Sequence, residues 1–452
     1  MIEVDLLKAT LAPLVLDDVA ALAEALDHPP RPAIRLRPVI APSSLPFETQ
    51  SVPWHPQGYF VPAGSRPGAY LGYAAADYYI QDAASLLASA LLAPQPGELI
   101  CDLCASPGGK STAILEAIGE DGWLLSNEAI ESRLPVLQFN LARHGATKYV
   151  ISRADPVDLV PTWAGAFDAV LVDAPCSGQS LVSRGKQSAS AFYPHTVEHC
   201  AARQTRILEL AAQLVRPGGR LVYSTCTFAF AENEFQVESF LQRNPSWTLE
   251  PHEPLRSWQR EQGAGHYRLW PHRHGCGGAY AARLVRNSDS AEVQSRPDKP
   301  RLAALRRATM PEEIAEWGEL KAVMYRRDFQ TFGWTIELDD RLLKCTISGP
   351  EVCFRKGSTW FPSYALAMRR DKNWIPRACI ELDDRQAAQY LEGLSLPSDQ
   401  RGWLIATWNG RSLGWCKGDG TRLKNHLPKP ARMSLVTSHW DCSLHRPMTN
   451  DQ

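Results

Sequence analysis

Between Leu99 and Arg243 the chain repeats one unit: a short apolar run, a turn rich in glycine or acid, then an amphipathic stretch. Residues 99–103 read as a buried strand, 109–118 as a helix ended by Gly119, 123–127 as a second strand, and 131–143 as a helix stopped by Gly145. Residues 149–152 and 167–173 read as the third and fourth strands. A long helix follows over 197–215, closed by Pro217-Gly218-Gly219, then a fifth strand over 220–224 and a helix over 232–243. Parallel strands need crossovers and crossovers are right-handed, so the expected class is α/β with a doubly wound, mostly parallel sheet. Residues 267–270 and 279–285 read as a closing hairpin.

The flanks have a different texture. Residues 1–60 are rich in proline (Pro29, Pro30, Pro32, Pro38, Pro42, Pro46, Pro53, Pro56) and read as one short helix and an extended N-terminal extension, expected to contact RNA if RNA is the substrate. An amphipathic helix is expected over 78–92. The catalytic domain is then expected over 61–286, a linker over 287–301 where large apolar residues are scarce, a smaller and mostly β domain over 302–435, and a tail over 436–452. Within the second domain, Asn409-Gly410 is a hairpin dipeptide. Residues 401–432 carry seven basic side chains (Arg401, Arg411, Lys417, Arg422, Lys424, Lys429, Arg432) against Asp419, a net of +6. The whole chain of 452 residues sums to −1, so nucleic-acid affinity must come from such local patches. No apolar run approaches the ~18 residues of a membrane span, and acids near the N-terminus argue against an export signal. Eleven scattered cysteines suit a reducing, cytoplasmic compartment.

The first turn, Asp102-Leu103-Cys104-Ala105-Ser106-Pro107-Gly108-Gly109-Lys110-Ser111, presents glycines and helix N–H groups to a ligand. Gly109-Lys110-Ser111 is nearly the end of a phosphate-binding P-loop, but Cys104 stands where that motif needs glycine. Glu128 ends the second strand, where a carboxylate accepts from ribose hydroxyls, and Asp155 follows the third, within reach of an adenine amino group. A nucleoside without a triphosphate fits better than ATP, and S-adenosylmethionine is such a ligand.

Two cysteines end adjacent strands, Cys176 in Asp173-Ala174-Pro175-Cys176-Ser177-Gly178 and Cys226 in Ser224-Thr225-Cys226-Thr227. Both face the crevice outside the strand ends. Methylation at carbon 5 of a pyrimidine needs such a pair. A thiolate adds to carbon 6, carbon 5 becomes nucleophilic, and the carbon-5 proton must then leave so that the thiol is expelled. Cys226, Asp173 and Cys176 can supply nucleophile, base recognition and release. The residues alone leave open which thiol attacks. The target base must be single-stranded or flipped out.

These residues resemble the Sun family of RNA cytosine-5 methyltransferases. The resemblance runs through Pro53-Trp54-His55-Pro56-Gln57-Gly58-Tyr59-Phe60, Tyr79-Ile80-Gln81-Asp82-Ala83-Ala84-Ser85, the glycine turn and both cysteine stretches. It implies a Rossmann-like S-adenosylmethionine methyltransferase forming 5-methylcytidine in RNA, with small-subunit ribosomal RNA as substrate. It implies that Cys104, Ala105, Ser106, Pro107, Gly108, Gly109 and Lys110 line the methionine and ribose side of the cofactor. Glu128 would hold the ribose and Asp155 the adenine, and Asp173 would stand between cofactor and base. Cys226 would be the nucleophile, Cys176 the residue of product release, and Lys110 an aid to the nucleophile. Ser106 and Thr227 depart from the family's usual Ala and Ser. Residues 414–429 resemble the PUA-type RNA-binding module. The same chemistry on transfer RNA, a non-catalytic RNA assembly protein, and a P-loop NTPase are the competing readings.

Weaker signals have plainer meanings. Cys101-x-x-Cys104 has redox spacing, but Cys101 lies in the strand. His195, His199 and Cys200 have zinc-like spacing but read as a solvated helix face, and His272, His274 and Cys276 as an exposed or RNA-facing loop. Arg184 and Lys186, in a stretch without acids from 179 to 196, are expected on RNA phosphates. Trp403, Trp408 and Trp415 read mainly as core.

Overall fold

The computed structural model describes residues 4–11, 14, 17–259, 265–289 and 305–434. Two short helices, α1 (Val4–Leu11) and α2 (Val19–Leu26), open the chain where the sequence suggested one. Leucines spaced one helical turn apart, Leu7 with Leu11 and Leu22 with Leu26, bury one stripe of each helix against Phe192, Phe228 and Trp270. The proline-rich stretch is not merely extended. The strands β1 (Ala33–Leu36), β2 (Gln50–Ser51), β3 (Gly58–Phe60) and β4 (Tyr78–Ile80) form an antiparallel sheet in the order β2-β3-β1-β4, with the one-turn helix α3 (Leu71–Ala74) before β4. The helix expected over 78–92 is therefore shorter. Its aromatic start pairs with β1 instead, Tyr79 opposite Arg35. Asp82 then accepts from Ala84 N at 2.7 Å, and α4 (Leu86–Leu92) begins after that turn.

The alternating segment forms the doubly wound sheet. In chain order it runs β5 (Leu99–Asp102), α5 (Gly109–Ile118), β6 (Trp123–Asn127), α6 (Leu134–His144), β7 (Tyr149–Ser152), α7 (Pro156–Trp163), β8 (Phe167–Asp173), α8 (Pro194–Leu214), β9 (Val215–Thr225) and α9 (Glu234–Arg243). The strands β10 (Trp247–Leu249), β11 (His266–Leu269) and β12 (Ala279–Arg286) close it. The order is β10-β12-β9-β8-β5-β6-β7, with β11 beside β12. From β9 to β7 every pairing is parallel, while β12 is antiparallel to β9. Cys101, Leu125, Val170 and Tyr223 fill one face, and Ile100, Leu124, Leu171 and Val222 the other. Burial on both faces is why these strands read as continuous apolar runs. The winding reverses between β5 and β8, and the crevice outside their carboxyl ends is where such sheets take ligands.

The stretch from 305 onward holds two five-stranded sheets and a two-stranded one, Gly318–Leu320 with Trp374–Pro376. The first joins Arg306–Ala308, Val323–Arg327, Gln330–Trp334, Glu351–Lys356 and Thr359–Pro362. It leans on the catalytic sheet: Thr346–Ser348 pairs antiparallel with β7, and Trp334 Nε1 donates to Tyr149 O at 2.9 Å. The second joins Cys379–Glu381, Leu396–Pro397, Arg401–Trp408, Arg411–Asp419 and Arg422–Asn425. Asn409 (φ 48°) and Gly410 (φ 71°) turn its main hairpin, the two left-handed residues of a type I′ turn. Arg411, just past that turn, forms an ion pair with Asp77. The linker expected at 287–301 lies outside the described residues beyond 289, as does the tail at 436–452. Among the described residues no helix is long and apolar enough to cross a membrane.

Candidate active site

The turn after β5 is held by strand ends and by α6. Leu103 N donates to Leu171 O at 2.9 Å and Ala105 N to Asn127 O at 2.8 Å. Asn140 Nδ2 donates to Pro107 O at 2.8 Å, and Ser106 exchanges bonds with Arg133 at 2.6 and 3.0 Å. Gly108 sits at φ +107°, which a side chain rarely adopts. A Cβ on Gly109 would lie 2.7 Å from Gln81 Oε1 and 3.0 Å from the Tyr79 ring. Glycine is therefore required there by protein neighbours as well as by any ligand.

Three carboxylates stand along the strand ends. Asp102 is fully buried; Oδ2 accepts from Ser111 Oγ at 2.6 Å, and Oδ1 has no partner. Burial pushes its carboxyl up to about 7. Glu128 is buried, with Oε1 accepting from Ile130 N at 2.9 Å. Its Oε2 has no hydrogen-bond donor and faces Arg133 at 3.3 Å. Asp155 caps α7 through Val157 N at 3.1 Å and pairs with Arg206 at 3.0 Å. Two buried acceptor oxygens without donors, on Asp102 and Glu128, suit a ligand bringing hydroxyl and ammonium donors, as S-adenosylmethionine does. Asn127, which sequence reasoning missed, ties the three strand ends together. Its Nδ2 donates to Leu103 O and Ala154 O, and its Oδ1 accepts from Ser152 Oγ and Ala154 N.

Beside this turn lies a cavity of about 130 Å³ whose lining includes Asp82, Lys110, Asp173, Ser180, Ser224 and Cys226. Lys110 Nζ donates to Asp173 Oδ2 at 2.6 Å, and Ser224 Oγ donates to Asp173 Oδ1 at 2.9 Å. Burial works against the Lys110 charge, but Asp173 and Asp102 outweigh it and raise its pKa. An ammonium so engaged argues against the P-loop reading. Cys176 Sγ and Cys226 Sγ are 3.2 Å apart as free thiols. The hydrogen bond from Cys176 holds the Cys226 thiol below its ordinary value, with help from Lys110 and against burial and Asp173. The same contact raises Cys176.

Asp82, Ser180 and Ser224 line the cavity and Glu232 holds Ser177 beside it, roles that the sequence did not announce. Asp82 accepts from Gly277 N at 3.0 Å and pairs with Arg184. Arg184 is exposed and engaged with Asp82 at the cavity rim, and Lys186 is exposed. The only sequence signal for Asp82 was its place in the Gln81-Asp82-Ala83 stretch.

Other expectations resolve simply. Burial raises the Cys101 and Cys104 thiols far above their ordinary value, away from the thiolate that a redox pair uses. His195 and His199 are exposed while Cys200 is buried, and no group of three metal-ligating side chains occurs among the described residues. The His272 loop is a correction: His272 Nε2 lies 2.8 Å from Asp18 Oδ2, His274 Nδ1 accepts from Trp270 N at 2.7 Å, and Cys276 is buried. These groups pack against α2 and its neighbours instead of facing RNA. Trp403 and Trp415 are core, and Trp408 is half-buried.

Asp419 is already counted in the +6 patch, so the pairing of Arg411 with an outside acid lowers it only to +5. Arg411 pairs with Asp77, and Arg422 and Lys424 face Asp419 at 3.5 and 3.6 Å. Lys417 has no ion pair among the described residues, and its Nζ sits 5.1 Å from the Trp403 ring centroid. The Glu351–Lys356 and Thr359–Pro362 hairpin extends the same face. Lys356 lies 5.7 Å from the Phe361 ring, Phe361 lies 6.5 Å from His426, and His426 lies 4.5 Å from Trp403.

Comparison with known proteins agrees with this geometry. Residues 89–285 match the model of the 16S rRNA methyltransferase RsmB/F family, and 377–433 that of the methyltransferase RsmF PUA domain. The chain is 30% identical to the ribosomal RNA small subunit methyltransferase F of Erwinia tasmaniensis over 411 residues, 84% of each chain. It is 29% identical to the Klebsiella pneumoniae protein of the same name, over 85% of this chain and 84% of that one. Among solved structures, NSun6 from Pyrococcus horikoshii with SFG is similar in fold, with TM-score 0.53, 18% identity, and coverage of 63% of this chain and 98% of that one.

Proposed function

The chain belongs to the RsmB/F family of 16S rRNA methyltransferases, and on that premise we propose that it forms 5-methylcytidine in small-subunit ribosomal RNA by covalent catalysis through Cys226, in the cytoplasm. The family is S-adenosylmethionine-dependent. The observation that carries the proposal is the pair of free thiols 3.2 Å apart beside a cavity that Cys226 lines with Lys110 and Asp173.

S-adenosylmethionine, when bound, supplies an electrophilic methyl group on a sulfonium sulfur. The turn from Cys104 to Lys110 and the carboxylates of Asp102, Glu128 and Asp155 are the groups that would hold it. Cys226, as thiolate, adds to carbon 6 of the extruded cytosine, which places the electron pair on carbon 5 for methyl transfer. Asp173, fixed between Lys110 and Ser224, accepts from the exocyclic amino group of the base. Lys110 offsets negative charge as sulfur adds. Cys176, 3.2 Å from Cys226, is the sulfur assigned to release: after giving up its own proton to solvent it takes the carbon-5 proton as thiolate, and the carbon 6–sulfur bond breaks with Cys226 leaving as thiolate. The strip of Lys356, Phe361, His426 and Lys417, which covers the buried Trp403, offers cations and ring edges to the RNA backbone.

Tritiated methyl transfer into small-subunit RNA tests the reading, with bisulfite sequencing of ribosomal and transfer RNA from cells with and without the gene. Methyl label in transfer RNA alone would move the substrate, and label in neither would support the assembly-protein alternative.

A further inference from the structure

Glu232 is fully buried, lies outside the cavity, and has no ion pair among the described residues. Its carboxylate accepts from Ser177 N at 2.9 Å, Ser177 Oγ at 2.5 Å and Gln204 Nε2 at 2.8 Å. Thr227 Oγ1 lies 3.4 Å from it and 2.8 Å from Ser177 Oγ. Ser177 and Thr227 are the residues immediately after Cys176 and Cys226. One carboxylate therefore grips both thiol-bearing loops, each one residue past its sulfur. Gln204 extends the grip by donating also to Pro175 O at 3.1 Å. The neighbouring Asn233 holds the second loop through Thr227 O at 3.0 Å and Thr225 Oγ1 at 2.5 Å.

A buried carboxylate without a counter-cation is costly and persists only where donors surround it. Packing alone would be served as well by an apolar residue. We propose that Glu232 is a positioning residue: it fixes the two loops so that Cys176 keeps its proton and donates it toward Cys226, which assigns nucleophile and release roles to the two sulfurs. Its negative charge acts in the same direction, because after the Cys226 contact and burial it adds to the rise of Cys176. The other titratable groups facing it are Cys200 and Tyr223, both raised by burial and neutral at physiological pH. Two cross-loop bonds do not involve Glu232: Ser180 N to Cys226 O at 3.1 Å, and Phe228 N to Gln179 Oε1 at 2.9 Å. The loops therefore stay attached when Glu232 is changed.

The inference rests on the covalent reading above, and the test separates the two. Full-length protein is treated with iodoacetamide between pH 6 and 9, and alkylation of each cysteine is followed by mass spectrometry. Cys226 should react faster than Cys176 in the native protein. In Glu232→Gln, which keeps size and loses charge, that preference should fall at least fivefold. The acid limb of the methylation rate should move to higher pH, with S-adenosylmethionine affinity unchanged. Should Glu232→Gln fail to fold, Ser177→Ala combined with Thr227→Val removes both hydroxyl contacts to the carboxylate while the Ser177 N and Gln204 bonds stay, and the preference should fall again by a smaller factor. Native preference and native pH profile in a folded variant would overturn the inference. Full activity in a parallel Cys226→Ala protein would overturn the covalent reading instead.

Discussion

Lys110 Nζ lies 2.6 Å from Asp173 Oδ2, joining the first turn of α5 to the end of β8 across the cavity that Cys226 lines. The pair connects the cofactor turn to the proposed site of the base with one hydrogen bond. Lys110→Met should lower the methyl-transfer rate by about a hundredfold, the usual cost of losing a preorganised charge. Its positive charge helps hold the Cys226 thiol down, so the acid limb of the pH–rate profile should move to higher pH in the variant. A profile that only scales down, without moving, would assign Lys110 to Asp173 alone.

The two sulfurs should separate cleanly by mutation. Cys226→Ala is expected to abolish both methylation and covalent protein–RNA adducts. Cys176→Ala should still attack but fail to release, so adducts that survive denaturing gels should accumulate. The reverse pattern would exchange their roles.

Acid should destabilise the fold in a defined window. Burial draws His144 from 6.5 to about 4, although Glu116 Oε1 sits 3.2 Å from its Nε2. The unfolded chain takes up this proton near pH 6.5 and the folded chain only near 4. The contribution is thus complete above 6.5 and is lost as pH falls toward 4, up to roughly 3 kcal/mol. His55 behaves alike, also drawn to about 4 by burial. Urea unfolding of His144→Gln at pH 7 and pH 5 should show a smaller loss of stability on acidification than the native protein, while the raised carboxyls of Asp102 and Glu351, present in both, act in the opposite direction.

RNA affinity should depend on salt through the strip described above. Lys356→Gln and Lys417→Gln should each lower the slope of log K against log salt by about 0.7 to 0.9 if each meets one phosphate. Deleting residues 401–452 should flatten it further. Anisotropy titrations over 50–200 mM salt read this directly, and unchanged slopes would place the RNA elsewhere.

Tyr79 shows where sequence reasoning fell short. Its run of aromatic and apolar residues suits a helix stripe, yet β1 offered an unpaired edge 44 residues upstream, and pairing with Arg35 decided the matter. The same applies to Thr346–Ser348, whose place beside β7 nothing local announces. What the amino-acid order determined by itself was everything carried by short-range periodicity and turn chemistry: the strand–helix alternation, the glycine turn at 108–109, the Asn409-Gly410 hairpin, and two cysteines at strand ends. What only the tertiary structure decided was which side chains meet. Cys176 and Cys226 are 50 residues apart, as are Ser177 and Thr227. Glu116, Asp77 and Glu232 are ordinary surface residues by composition until the sheet order buries them beside Arg35, Arg411 and Ser177. Local propensity acts over a few residues, whereas strand order is fixed by the burial of both sheet faces at once, and that order sets every contact in the site.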